Sequence, residues 1–259
     1  MSGDGLEALL FDVDGTLADT ERDGHRVAFN LAFREAGLAW EWDVPLYAEL
    51  LTVTGGKERI RFYLENYQWN YTLPPDLDDF IAGLHQAKTR HYTRLLAEGR
   101  IPLRAGVERL LREARNAGLR LAIATTTTPA NVEALLVHTL GPESLTWFEV
   151  IAAGDIVPAK KPAPDIYLYA LQNMALAASS CLAFEDSLNG IRASRGANLR
   201  TIITINDYTR DDDFSDAALV LDTFGEADSP CHVLAGEAKA LNGSAYLTVA
   251  ALRRLHEGA

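Results

Sequence analysis

Four short runs of this chain are apolar at every or nearly every position: Ala8–Phe11, Leu119–Ala124, Cys181–Phe184 and Thr201–Ile205. Runs this short and this continuous predict strands buried on both faces rather than strands with one wet side. Between the later runs the pattern changes to a helical period, near 106–116, 130–140, 165–174 and 189–197. Strand alternating with helix predicts an α/β fold, a doubly wound parallel sheet. Ligands of such sheets sit at the carboxyl ends of the strands.

The stretch from 21 to 99 breaks the alternation. Ala28, Leu31, Ala32 and Glu35, then Phe80, Leu84 and Ala87, recur at helical spacing, and no run there predicts a strand. We read it as an α-helical cap domain inserted into a core formed by 1–20 and 100–259, with hinges at Leu17–Glu21 and Glu98–Gly106. Asp211, Asp212 and Asp213 read as a solvated loop. Residues after about Phe224 fit no motif, although Tyr246–His256 has the pattern of a terminal helix.

Composition narrows the class. With 259 residues and 48% hydrophobic content the chain can fill one large domain or two unequal ones. A net charge of −12 argues against a nucleic-acid or anionic-membrane surface, and leaves any phosphate ligand to be drawn in by a local basic cluster. Cys181 and Cys231 are too few and too far apart for a disulfide framework or a zinc site. No secretory pattern opens the chain and no stretch is long and apolar enough to cross a bilayer. The expectation is a soluble, cytoplasmic monomer.

The chemistry begins where the first run ends, at Asp12-Val13-Asp14-Gly15-Thr16. Carboxylates two residues apart point the same way along an extended chain, and a tight turn after them lets both face one ligand. An aspartate at a strand tip can attack phosphorus and hold the phosphoryl group covalently. A second acid beside it can carry the proton of the leaving oxygen. Asp and Gly also favour plain turns, so this stretch alone leaves both readings standing.

Three later segments favour the first reading. The second run ends in Thr125-Thr126-Thr127-Thr128, Lys161 lies in Lys160-Lys161-Pro162 before a helix, and Glu185-Asp186 follows the third run. In this order the four segments resemble the motifs of the haloacid dehalogenase superfamily of phosphotransferases, over about Leu6 to Leu221. The resemblance implies Asp12 as nucleophile and Asp14 as general acid/base. It implies Mg2+ held by Asp12, the Asp14 carbonyl and Asp186, with Glu185 behind. Thr125, with the amides of Asp14 and Thr126, would bind the phosphoryl oxygens, and Lys161 would neutralise them and Asp12. Thr127 and Thr128 read as a helix cap and Lys160 as a surface charge; Thr16 and Ser187 are equally readable as functional groups or loop hydrogen bonders.

In the inserted segment, Gly55-Gly56-Lys57-Glu58-Arg59 places a glycine pair before a basic helix start, which suits an anion but also an ordinary loop. Relatives of beta-phosphoglucomutase grip the distal part of their substrate with this loop. That resemblance implies substrate contacts from Gly55, Gly56, Lys57, Arg59 and Lys88, with Thr126 from the core and Glu21 and His25 beside the first hinge. His25 reads equally as a surface histidine. Thr20–Arg26, Gly55–Arg59, Ile81–His85 and Glu185–Ser187 resemble more narrowly the CbbY-type phosphatases. Those hydrolyse xylulose-1,5-bisphosphate, a Rubisco inhibitor, to xylulose 5-phosphate. The implied partner is a small phosphorylated sugar. One departure is Ala105, where relatives usually carry proline, which implies a looser second hinge.

Overall fold

The computed structural model describes residues 5–68, 71–72 and 74–258, and of residue 23 only the backbone. Residues 1–4 and 259 of the expected core segments, and 69, 70 and 73 of the expected cap, lie outside the described residues.

Among the described residues seven strands form one sheet: β1 (Ala8–Phe11), β2 (Arg120–Thr125), β3 (Val150–Ala153), β4 (Cys181–Glu185), β5 (Arg200–Thr204), β6 (Leu219–Leu221) and β7 (Val233–Gly236). Their order is β3-β2-β1-β4-β5-β6-β7, parallel except for β7. The chain winds outward from β1 to β3, crosses back, and continues through β4, so the order reverses between β1 and β4. Binding crevices of open parallel sheets form at such reversals. All four predicted runs are strands. β3, β6 and β7 were not predicted, and the antiparallel β7 is a half-exposed edge strand.

The nine helices among the described residues are α1 (Arg26–Glu35), α2 (Val44–Leu50), α3 (Gly56–Tyr67), α4 (Leu77–Ala97), α5 (Val107–Asn116), α6 (Pro129–Leu140), α7 (Asp165–Met174), α8 (Leu188–Gly196) and α9 (Val249–Glu257). Side-chain alternation along β1 divides the core. Leu9 and Phe11 join the apolar cluster that includes Leu110 of α5, Leu135 of α6 and Leu252 of α9. Ala8 and Leu10 face Ile166 and Ala170 of α7 and Ala193 of α8. Each large side chain so buried stabilises by about 1.5–3 kcal/mol. Phe11 also stacks on Phe184 across the strand pair, with ring centroids 4.4 Å apart. The predicted terminal helix is α9, whose Thr248 hydroxyl accepts from the Ala251 amide as an N-cap.

Among the described residues of 21–97 all regular structure is helical, and it begins with a π-helical turn, Glu21–His25. They carry a separate core in which Phe29, Phe33, Trp40, Trp42, Tyr47 and Tyr63 pack ring against ring. The outgoing and returning connections lie side by side, because the Arg104 amide donates to the Leu17 carbonyl (2.9 Å) and Ala18 bridges Leu103. Across the cleft, Lys57 reaches Asp155 (2.6 Å), Lys160 reaches Glu58 (2.8 Å), and the Asn189 amide donates to Thr54 (2.9 Å). No described helix is long and apolar enough to cross a membrane.

Candidate active site

The four sequence segments meet at the carboxyl ends of β1, β2 and β4. The cavity there has a volume of 340 Å³ and is lined by Asp12, Asp14, Thr125, Thr126, Lys161, Glu185 and Asp186, roofed by Glu21, Gly55 and Arg59. Parallel register explains the meeting. Phe11 pairs with Ile123 on one side and Phe184 on the other, so the residues that follow all emerge at one level.

Lys161 is the electrostatic centre. Its ammonium lies 2.6 Å from an Asp12 oxygen and 2.6 Å from a Glu185 oxygen, and all three side chains are buried. The Tyr167 hydroxyl donates to Glu185 from behind. Burial lifts the Asp12 carboxyl to about 7; Lys161 pulls it down while Glu185 and Asp14 push it up. Asp186 is raised well above the usual carboxylate range, first by burial and then by the charges of Asp12 and Glu185. Lys161 is shifted upward, its two carboxylates outweighing the cost of burying an ammonium.

Asp12, Glu185 and Asp186 place carboxylate oxygens within 4.8 Å of one another. Ionised together, the three carboxylates would carry two negative charges more than Lys161 offsets; without a cation, burial holds protons on Asp12 and Asp186, and a divalent cation would match that deficit. Two details fit a cation there. The Glu185 Oε2 atom is buried without a hydrogen-bond partner among the described residues, and a Cβ built on Gly15 falls 2.0 Å from Asp186 Oδ2, so only glycine lets that carboxylate approach the turn. The all-oxygen donor set suits magnesium. Glu185, held by Lys161 and Tyr167, sits behind Asp12 and Asp186.

Asp14 faces the inserted helices. Its Oδ1 accepts from the Thr20 hydroxyl (2.6 Å) and lies 2.7 Å from His25 Nε2. Lys88 Nζ is 2.8 Å from His25 Nδ1. An ammonium only donates, so Nδ1 accepts and the proton sits on Nε2, where it is given to Asp14. Burial alone would raise Asp14, but His25 and Thr20 outweigh it and hold the carboxyl well below its ordinary range. Burial brings Lys88 down to about 8, against the pull of Asp14 and Glu21. His25 is therefore not a surface residue; it is buried and stacks on Tyr92 at 4.2 Å.

The remaining predicted residues are distributed as follows. Thr125 is buried at the end of β2, and its hydroxyl oxygen accepts from the Thr127 amide, leaving its own proton to donate. Arg59 is buried and donates to the Tyr47 hydroxyl (2.9 Å) and the Leu50 carbonyl (3.2 Å), with Glu21 3.8 Å away. Tyr47 in turn donates to Glu21 (2.5 Å). Gly55 and Gly56 open α3, where a Cβ at Gly56 would meet the His85 ring at 2.5 Å. Lys57 lines a neighbouring cavity of 430 Å³ with His25, Lys88 and Thr126, and is not brought to Asp12. Thr128 caps α6 as expected, and Ser187 caps α8 while also lining the Asp12 cavity. Lys160 differs from expectation: it is largely buried between Glu58 and Asp155 rather than free in solvent.

Sequence reasoning missed Tyr167, Asn206 and Arg104. Asn206 donates to Asp186 Oδ2 at 2.7 Å. It follows the fourth apolar run, and the rule that ligands gather at strand ends would have found it. Tyr167 occupies an ordinary apolar position of α7 and carries no signal of its own.

Comparison with known proteins agrees with this geometry. Residues 6–198 match the model of the haloacid dehalogenase-like hydrolase family. The plasmid-borne protein CbbY of Cupriavidus necator is 45% identical over 98% of both chains. CbbY of Rhodobacter sphaeroides, in a crystal structure with phosphate, is 49% identical and superposes with a TM-score of 0.80 over 85% of this chain and 96% of that one. An Asp-to-Asn variant of that protein, with the same identity, coverage and TM-score, is in complex with xylulose-(1,5)bisphosphate. With a family match across most of its length and relatives this similar, the chain belongs to the haloacid dehalogenase-like hydrolases, as a phosphatase of the CbbY type.

Proposed function

We propose that the chain is a magnesium-dependent sugar-bisphosphate phosphatase acting through an aspartyl-phosphate on Asp12. Its proposed substrate is xylulose-1,5-bisphosphate, cleaved to xylulose 5-phosphate and phosphate. The observation that carries the chemistry is the buried Asp12–Lys161–Glu185–Asp186 cluster beneath inserted helices. The substrate is supported by the sugar bisphosphate bound to the 49% identical relative.

In this reading Asp12 attacks the phosphorus; Asp14, ionised before substrate binds, must first take up a proton, which it gives to the departing sugar oxygen before taking one from the attacking water. Lys161, the Thr125 hydroxyl and the Asp14 and Thr126 amides bind the phosphoryl oxygens. Asp12, Asp186 and the Asp14 carbonyl would hold magnesium, which when bound supplies positive charge to the transferring phosphoryl group. The core spans 1–20 and 100–259 and the cap 21–99. The cap presents Glu21, His25, Gly55, Gly56, Lys57, Arg59 and Lys88 to the sugar and its second phosphate.

The test is phosphate release from xylulose-1,5-bisphosphate, ribulose bisphosphate, glucose 1-phosphate and pyridoxal phosphate. Xylulose-1,5-bisphosphate should give the highest kcat/KM and leave xylulose 5-phosphate. Efficient conversion of beta-glucose 1-phosphate to glucose 6-phosphate, with little phosphate released, would replace this reading with a mutase.

The crowded carboxylates also make the metal visible in stability. An unfolded Asp ionises near 4, whereas folded Asp12 keeps its proton to about 7. Between these values the folded state binds more protons, so stability falls as pH rises through that window. Depressed Asp14 acts in the opposite sense, but its loss of stability lies below the window; His85, lowered to about 3 chiefly by burial, also acts in the opposite sense and offsets part of the fall between about pH 5.5 and 6.5. In metal-free buffer the melting midpoint of the parent minus that of Asp12→Asn, a difference in which His85 cancels, should fall by at least about 4 °C between about pH 5.5 and about pH 8. Mg2+ competes with those protons, so it should raise the midpoint more at the higher pH. A difference that rises with pH in metal-free buffer would contradict the carboxylate assignment.

A further inference from the structure

Arg104 lies in the returning connection, just before α5, and its side chain is almost fully buried. Its Nε atom pairs with the Asp19 carboxylate at 3.4 Å, but the Asp19 side chain is mostly exposed. The guanidinium instead spends its fork on carbonyl oxygens. One nitrogen donates to the Gly15 carbonyl and, at 3.3 Å, to Thr204. The other donates to Ile205 at 2.5 Å and Asp222 at 2.7 Å. These carbonyls belong to the turn after β1 and to the ends of β5 and β6, where backbone acceptors have no strand partner left. A rigid planar donor is suited to joining them, which a lysine cannot imitate.

Two of those carbonyls bear on the candidate cation site. Gly15 is the residue against which Asp186 Oδ2 packs, so closely that any side chain there would strike it. Ile205 immediately precedes Asn206, whose amide donates to the same Oδ2 atom. Asp186 is thus gripped between two walls, and one guanidinium holds both.

We propose that Arg104 is a positioning residue for the divalent-cation site, setting the placement of Asp186 and of the Asp14–Gly15 turn; this rests on the reading of Asp12, Asp14 and Asp186 as the magnesium ligands. Arg104 also ties that site to the returning connection of the inserted helices, through its own amide on Leu17. Ala105 therefore follows a residue already pinned to the core, and the missing proline does not leave the connection loose.

The experiment is Mg2+ titration calorimetry on the full chain and its Arg104→Ala, Arg104→Lys and Asp186→Ala variants, with circular dichroism to measure the folded fraction. Both Arg104 variants should raise the Mg2+ dissociation constant by about tenfold to a hundredfold, as loss of groups behind a metal ligand does. The KM for sugar phosphate at saturating Mg2+ should change far less than the Mg2+ dissociation constant, because Arg104 reaches the phosphoryl-binding Asp14 amide only through the turn it steadies. N-ethylguanidinium should restore Mg2+ binding to Arg104→Ala, and ethylammonium should not. If Arg104→Ala fails to fold, the Mg2+ affinity of Arg104→Lys decides. Parental Mg2+ affinity in folded Arg104 variants, with Asp186→Ala impaired, overturns the role of Arg104 alone. Unchanged affinity in Asp186→Ala overturns the cation site and the proposal with it.

Discussion

Asp12→Asn is expected to remove about four to six powers of ten from kcat, as loss of a covalent nucleophile does elsewhere. The amide has nearly the shape of the carboxylate but cannot attack phosphorus. The fold should survive. The Asp12 amide nitrogen still donates to the Phe184 carbonyl (3.0 Å), and Lys161 keeps Glu185 at 2.6 Å, so no buried ammonium is left alone. The substitution also removes one of three crowded carboxylates, the one that burial already lifts to about 7. Phosphate release should vanish while substrate binding by calorimetry persists. Activity within a few-fold of the parent, in a variant with a normal circular dichroism spectrum, would exclude covalent transfer through Asp12.

Much of this site was legible because its chemistry sits where the apolar pattern stops. Asp12, Thr125 and Glu185-Asp186 each end a continuous run, and parallel pairing brings run ends together without further information. α7 lies on Asp165–Met174 as predicted, since its apolar positions recur at helical spacing. The strands that escaped notice lack such runs. β6 has three residues, and β7 is an edge strand with little burial to mark it. The missed site residues share another cause. Arg104, Tyr167 and Asn206 act on the backs of other residues, through backbone carbonyls, Glu185 and Asp186. Nothing in their local sequence announces a partner about 20 to 100 residues away. Lys160 was misjudged for the same reason, because Glu58 and Asp155 become its neighbours only when the cleft is built.

Asp14→Asn separates the two halves of the reaction. The proposed acid/base should contribute about two to four powers of ten. With a sugar bisphosphate the leaving oxygen is an alkoxide and needs a proton as the bond to phosphorus breaks. The variant should stall at the first step, with no early release of product. With p-nitrophenyl phosphate the leaving phenolate departs unprotonated, so Asp12 can still be phosphorylated. The second step then lacks the base that takes the water's proton. One equivalent of nitrophenol per enzyme should appear in a burst, followed by slow turnover. The geometry supports this second role directly. Thr20 and His25 keep Asp14 ionised, and Lys88 orients His25 to do so. His25→Ala removes that support and should let the Asp14 carboxyl rise toward its ordinary range. The acid limb of the parental pH profile should then move to higher pH. Equal losses for both substrates in Asp14→Asn, without a burst, would show that proton transfer to the leaving oxygen is carried by another group.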